Sequence, residues 1–202
     1  MRTMKKIAFC GIPAGGKTAL VAEVRKIVGL RHRVTVVDDV GQQSPFDIDR
    51  KVRFAAQFYF MTTQINGENL AIEQRPEVLL CDRSVLDQWV YWKKIRLDQL
   101  DDTRPGEERD AERNRVMECL FRFWIRTYDL MIHVRTDLRK LPERWRGVGP
   151  LALDEETLAQ FETLYVEELT ASGAPTWEVW NNLSVDETAQ AVVEEISRRQ
   201  WV

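Results

Sequence analysis

Long apolar runs, an excess of one charge and metal-binding spacings are all missing from this 202-residue chain. No apolar stretch approaches the ~20 residues that cross a bilayer. Lys and Arg number 29 against 32 Asp and Glu, and the resulting net charge of −3 gives no broad pull toward nucleic acid or membrane. The three cysteines, Cys10, Cys81 and Cys119, are odd in number and show no C-x-x-C spacing, so no disulfide framework is implied. With two histidines, His32 and His133, and no Cys/His cluster, a structural zinc site is not expected. The run Ile7–Cys10 is too short for the apolar core of a signal peptide. What remains is a reduced, cytoplasmic protein with neither nucleic acid nor membrane as partner. Its length suits one domain over residues 1–202, and 44% apolar and 30% charged residues are ordinary for a globular chain.

What is present is a phosphate-binding loop. Gly11-Ile12-Pro13-Ala14-Gly15-Gly16-Lys17-Thr18 fits G-x-x-x-x-G-K-[ST] without mismatch. A random chain of this length would match in roughly 1% of cases at ordinary residue usage, so the context matters. Lys5–Cys10 reads as a buried strand, and Leu20, Val21, Val24, Ile27 and Val28 recur at helical spacing after the loop. Strand, loop and helix are the setting the motif requires. Backbone N–H groups from Gly11 through Ala19 would cradle a polyphosphate at the helix N-terminus. Lys17 would reach the β- and γ-phosphates of ATP, and the Thr18 hydroxyl would sit on Mg²⁺.

Apolar runs alternate with longer amphipathic stretches, which predicts a parallel α/β sheet with helices on both faces. Strands are expected at 5–10, 33–38, 77–81, 129–135 and 176–180. Helices are expected at 17–28, 50–74, 85–97, 108–127, 154–171 and 185–199, the last opening on the capping box Ser184-x-x-Glu187. Open parallel sheets bind ligands beyond the carboxyl ends of their strands. Four apt groups follow such ends: the phosphate loop, Asp38-Asp39, Asp82-Arg83, and a basic, Gly- and Pro-rich loop over 136–150 with Arg139, Lys140, Arg144 and Arg146. The last suits a phosphate lid.

Asp82 could hold Mg²⁺ opposite Thr18, and Arg83 could orient an acceptor. Only one of Asp38 and Asp39 can face the site, because neighbouring strand residues point to opposite sides. Asp39, further into the loop, is the candidate base for an attacking hydroxyl. Phe54, Gln57, Phe58 and Met61, with Arg53, form a helical stripe. Most of it reads as core, but the Gln57 amide could read the edge of a base. Trp89 and Trp92 read as core. Asp38-Asp39-Val40-Gly41-Gln42 imitates a GTPase switch, yet it follows the second strand directly, and no [NT]-K-x-D guanine reader exists in the chain. Arg follows Asp82 where many oligomeric ATPases carry a hydrolytic Glu. Both points favour a kinase.

In this order the motifs resemble the nucleoside- and nucleotide-kinase branch of P-loop proteins, over essentially the whole chain. Phe54-Ala55-Ala56-Gln57-Phe58-Tyr59 and Cys81-Asp82-Arg83-Ser84-Val85-Leu86-Asp87 carry the likeness beyond the loop. The deoxynucleoside kinases imply Asp39 as base, Gln57 as base reader, and Asp82 and Arg83 near magnesium and the 5′ end of the substrate. This chain departs from them by having Asp for Glu in both acidic places. The ribosylnicotinamide-kinase-like ATPase domains match D-R-x-x-x-D at Asp82, Arg83 and Asp87, and their lid arginine matches Arg146. The spacing favours this second group.

The expectation is therefore a three-layer P-loop fold with a five-stranded parallel sheet and an arginine lid. The expected reaction is transfer of the γ-phosphoryl of ATP to a hydroxyl of a nucleoside-like acceptor. The expected catalytic set is Lys17, Asp39, Asp82, Arg83, Arg144 and Arg146, with Arg53, Gln57 and Asp87 contacting substrate. A homodimer is compatible with the sequence. A monophosphate kinase using Arg50 and Arg53, or an ATPase acting as a regulatory module, are the alternatives.

Overall fold

The five apolar segments form a single parallel sheet: β1 Lys5–Cys10, β2 Val34–Val37, β3 Val78–Asp82, β4 Leu130–Arg135 and β5 Thr176–Trp180, in the spatial order β2-β3-β1-β4-β5. The helices are α1 Lys17–Gly29, α2 Phe54–Glu73, α3 Val85–Gln99, α4 Glu107–Trp124, α5 Glu155–Ser172 and α6 Val185–Arg198. This computed structural model describes residues 4–43, 45, 54–99, 107–137, 154–182 and 184–202. Expected Arg53 and lid residues Arg144 and Arg146 lie outside the described residues, as does Arg50.

Alternation along the strands divides the core into two layers. Ile7 and Phe9 of β1, Val78 and Leu80 of β3, and Leu130, Ile132 and Val134 of β4 pack with Leu20, Val21 and Val24 of α1 and with Val192 and Ile196 of α6. The intervening Ala8, Cys10, Leu79, Cys81 and Met131 pack against α2, α3, α4 and α5. A shift of one residue would exchange the two layers, so register is strongly specified. Cys10 and Cys81 are buried small hydrophobes, as their strand positions predict.

Most element boundaries fall within two residues of expectation. The exceptions have local causes. The helix expected at 108–127 ends at Trp124, and Ile125–Thr127 tightens into a 3-10 turn that delivers Tyr128 to the core. In α2 the buried side includes Gln57 and Met61 of the expected stripe, with Phe54 packed against the core, but it continues through Phe60, Gln64 and Glu68, while Phe58 is 36% exposed. Its first turns, Phe54 to Met61, are apolar on every side except at Gln57, so periodicity alone could not fix the inner face there.

Candidate active site

The phosphate loop joins β1 to α1 at the centre of the sheet, where neighbouring strands lie on both sides. Its backbone requires glycine at two points. Gly11 has φ +141°, and a Cβ there would come within 2.5 Å of the Val134 carbonyl oxygen. Gly16, with φ +82°, caps α1, and its missing Cβ leaves room for the Asn181 amide. Asn181 Nδ2 donates to the Gly15 carbonyl at 2.8 Å, and Thr136 Oγ1 donates to the same oxygen at 3.3 Å. Residues from the ends of β4 and β5 therefore brace the loop. Pro13 is buried in it, Ala14 takes a left-handed φ of 60°, and Ala19 is exposed on the first turn of α1.

Lys17 folds back over the loop, its Nζ donating to the carbonyls of Gly11 and Ile12 at 2.7 Å each. It is 5% exposed. Burial, reinforced by the nearby Arg83 charge and opposed by Asp87 and Asp82, pushes its pKa down to about 8. The loop thus holds a desolvated ammonium group that an incoming phosphate would satisfy.

Asp82 ends β3 in phase with Val78 and Leu80, which turns it toward α1. Burial raises its pKa, with a contribution from Asp39. A hydrogen bond from Thr18, then Lys17 and Arg83, oppose the rise. Its Oδ1 is buried without a partner. A lone carboxylate oxygen beside a threonine hydroxyl fits Mg²⁺, which takes few protein ligands and fills its octahedron with water and phosphate oxygens. Among the described residues no cluster of three acidic, Cys or His side chains could hold a metal, so Thr18 and Asp82 are the donors on offer.

Arg83 has φ +80°, a conformation costing a non-glycine residue roughly 1–3 kcal/mol unless its surroundings impose it. Its N–H donates to the Phe9 carbonyl at 3.1 Å. Its Nε donates to Asp39 Oδ2 at 2.6 Å, and its guanidinium lies 5.8 Å from the centre of the Tyr91 ring. Asp39 Oδ1 accepts from the Gly41 N–H at 2.9 Å. Asp38 is exposed, and of the two acids it is Asp39 that pairs with Arg83.

Asp87 lies in the first turn of α3. It is fully buried, its Oδ2 accepting from the Ser84 N–H at 2.8 Å and hydroxyl at 2.9 Å. Its Oδ1 accepts from the Tyr165 hydroxyl at 2.8 Å and lies 3.9 Å from the Arg83 guanidinium. The D-R-x-x-x-D spacing thus produces a helix cap behind Arg83. Gln57 is 3% exposed and its Oε1 has no partner. One helical turn away, Phe54 packs on Phe58 and Trp92 at centroid distances of 5.5 and 5.7 Å. Trp92 Nε1 donates to Asn114, and Trp89 Nε1 donates to Glu168 while its ring stacks on Phe121. Both tryptophans are core, as expected.

Sequence reading missed Thr136, Asn181 and Tyr165, which act through distant backbone or buried carboxylates. It also missed Gln64 and Glu68, which lie among the polar residues Thr62, Thr63, Asn66 and Asn69 and carry no mark in sequence that sets them apart as buried. Arg135, the last residue of β4, is paired with Glu162 at 2.6 Å and Glu178 at 3.3 Å and lies over Trp180.

No protein-family model matches the chain, and no curated protein matches it in sequence. Solved structures do. Deoxyadenosine kinase from M. mycoides with bound dATP aligns at a TM-score of 0.70 and 22% identity, covering 96% of this chain and 99% of that one. The same enzyme with bound dCTP aligns over the same shares at 0.69 and 20%. The fold of this chain is that of the P-loop nucleoside kinases.

Proposed function

We propose that the chain is a nucleoside kinase that moves the γ-phosphoryl group of ATP to a hydroxyl of a nucleoside whose base carries an exocyclic amine. The observation that carries this reading is the Arg83–Asp39 pair at 2.6 Å, formed beyond the ends of adjacent strands and beside the phosphate loop. A carboxylate held there by a guanidinium has spare lone pairs for one more donor, the acceptor hydroxyl. As the new O–P bond forms, the hydroxyl proton passes to Asp39, and the bond from phosphorus to the β,γ-bridging oxygen breaks to release ADP. Arg83 fixes the carboxylate and faces the entering oxygen. Lys17 leaves its two carbonyls for the triphosphate and offsets charge on the transferring group. Mg²⁺ held by Thr18 and Asp82 would supply further charge neutralisation on the phosphates.

Gln57 supports the acceptor class. Its unpaired Oε1 lacks a donor, and a base presenting an amino group beside a ring acceptor would complement the whole amide. The likeness to deoxyadenosine kinases supports this deoxynucleoside-kinase reading over the ribosylnicotinamide-like one favoured by the D-R-x-x-x-D spacing. That spacing is accounted for by the cap at Asp87.

Asp39→Asn is the direct test. It is expected to lower kcat about 10²–10⁴-fold while ATP affinity measured by calorimetry stays within about twofold, since the phosphate loop is untouched. Turnover equal to wild type would assign the proton to another group.

A further inference from the structure

A second buried charge cluster lies behind the site and takes no part in the chemistry described above. Glu68 of α2 has no exposed surface, and Lys6 of β1 is 2% exposed. The two form an ion pair. Glu68 Oε1 also accepts from Gln64 Nε2 at 2.8 Å and from the Tyr128 hydroxyl at 2.6 Å, while Oε2 accepts from Trp124 Nε1 at 2.6 Å. Lys6 in turn donates to Thr127 Oγ1 at 2.7 Å and lies over the rings of Trp124 and Tyr128. The Cys81 thiol adds a further side-chain hydrogen bond to Glu68, so both carboxylate oxygens are fully supplied with donors.

This saturated acceptor dictates the polarity of its neighbours. Gln64 must present its amide nitrogen to Glu68, because the opposite orientation would set Oε1 against a carboxylate. Its second N–H then points to the Arg83 carbonyl, at 3.4 Å. The Oε1 left over is buried without a partner, as an orientation imposed from outside would leave it. The Tyr128 hydroxyl gives its proton to Glu68, so its oxygen is free to accept from the Val85 N–H at 3.3 Å. Gln64 and Tyr128 thus grip the backbone on either side of Ser84, in the turn where Arg83 takes its left-handed conformation.

We infer that the Lys6–Glu68 pair, acting through Gln64 and Tyr128, is the positioning device that holds the Arg83 turn and so aims the guanidinium at Asp39. The inference rests on the kinase reading for its effect on turnover, but its geometric content does not. Gln64, Tyr128, Glu68 and Lys6 are positioning residues, and none touches the reacting atoms.

The network contains its own control. Trp124→Phe removes a donor to Glu68 of the same kind but leaves both contacts to the turn. Gln64→Leu and Tyr128→Phe each remove one of those contacts. Two readouts are taken on folded full-length protein: the nitrogen-proton resonance of Arg83 Nε, and kcat with KM for ATP and for a nucleoside acceptor. The expected result is a displaced or broadened Arg83 resonance and a fall in kcat of about tenfold or more in Gln64→Leu and Tyr128→Phe, with KM for ATP within about twofold of wild type. Trp124→Phe should match wild type in both readouts even where its melting temperature falls as far. Tyr128→Phe keeps its ring against Lys6, so it carries the test if Gln64→Leu does not fold. An unchanged Arg83 resonance in folded Tyr128→Phe, or equal loss in Trp124→Phe, would overturn the inference. If wild type transfers no phosphoryl group to any nucleoside, the kinase reading fails, and the resonance still decides the positioning claim.

Discussion

Lys17 joins the two halves of the proposed chemistry. It is an ammonium group buried against the Gly11 and Ile12 carbonyls, with its pKa pushed down to about 8 because water is stripped away and Arg83 is close. The unfolded chain keeps the ordinary value of 10.5, so between about 8 and 10.5 it binds more protons than the folded one. Folding stability from this group therefore rises with pH across that window and is lowest below 8. Triphosphate binding has the opposite preference, since phosphate oxygens need the charged form. Affinity for ATP should be level below pH 8 and fall by about tenfold per unit above it. Fluorescence titrations from pH 6 to 10 would show this, and Lys17→Met should bind weakly with no such break. A wild-type profile without a break would place the titrating group elsewhere. Lys17 and Thr18 were legible in the sequence because the motif specifies side chain and backbone together. Arg83 was legible as a residue type, but its left-handed φ and its grip on Asp39 depend on contacts across 44 positions of sequence.

At the scale of elements, α3 is the clearest case of a motif whose residues were visible and whose meaning was not. Ser84 and Asp87 close its N-terminus, and Asp87 also anchors Tyr165 of α5 and sits behind Arg83. Asp87→Ala would leave the Ser84 N–H and the Tyr165 hydroxyl unpaired in the core and remove the negative charge nearest the buried side of Arg83. A loss of about 3–5 kcal/mol in urea unfolding is expected, whereas a substrate contact at the surface would cost little. Loss below about 1 kcal/mol would return Asp87 to the substrate side. The three inner strands, β1, β3 and β4, were readable because burial on both faces makes them near-continuous apolar runs, and the edge strands β2 and β5 because their valines and tryptophans recur with period two. The inner face of α2 was not, since aromatic residues surround the helix and only its packing partners decide between Phe58 and Phe60.

Over the whole molecule, the parallel order β2-β3-β1-β4-β5 gathers groups from four strand ends: Asp39 after β2, Asp82 and Arg83 at β3, the phosphate loop after β1, and Thr136 after β4, with Asn181 after β5 joining them on the loop. The first three were legible, because a motif or an acidic pair marks each. Thr136 and Asn181 were not, because a lone polar residue after a strand has no pattern. The central claim is that these groups form the donor and acceptor halves of one transfer site. The most direct measurement is phosphoryl transfer from γ-labelled ATP to a panel of ribonucleosides, deoxynucleosides, ribosylnicotinamide and nucleoside monophosphates, using wild type and Asp39→Asn. Label should pass to nucleosides bearing an exocyclic amine, and the Asp39→Asn protein should lose that transfer. Release of label as free phosphate at the same rate with and without acceptor, or transfer to monophosphates alone, would contradict the account.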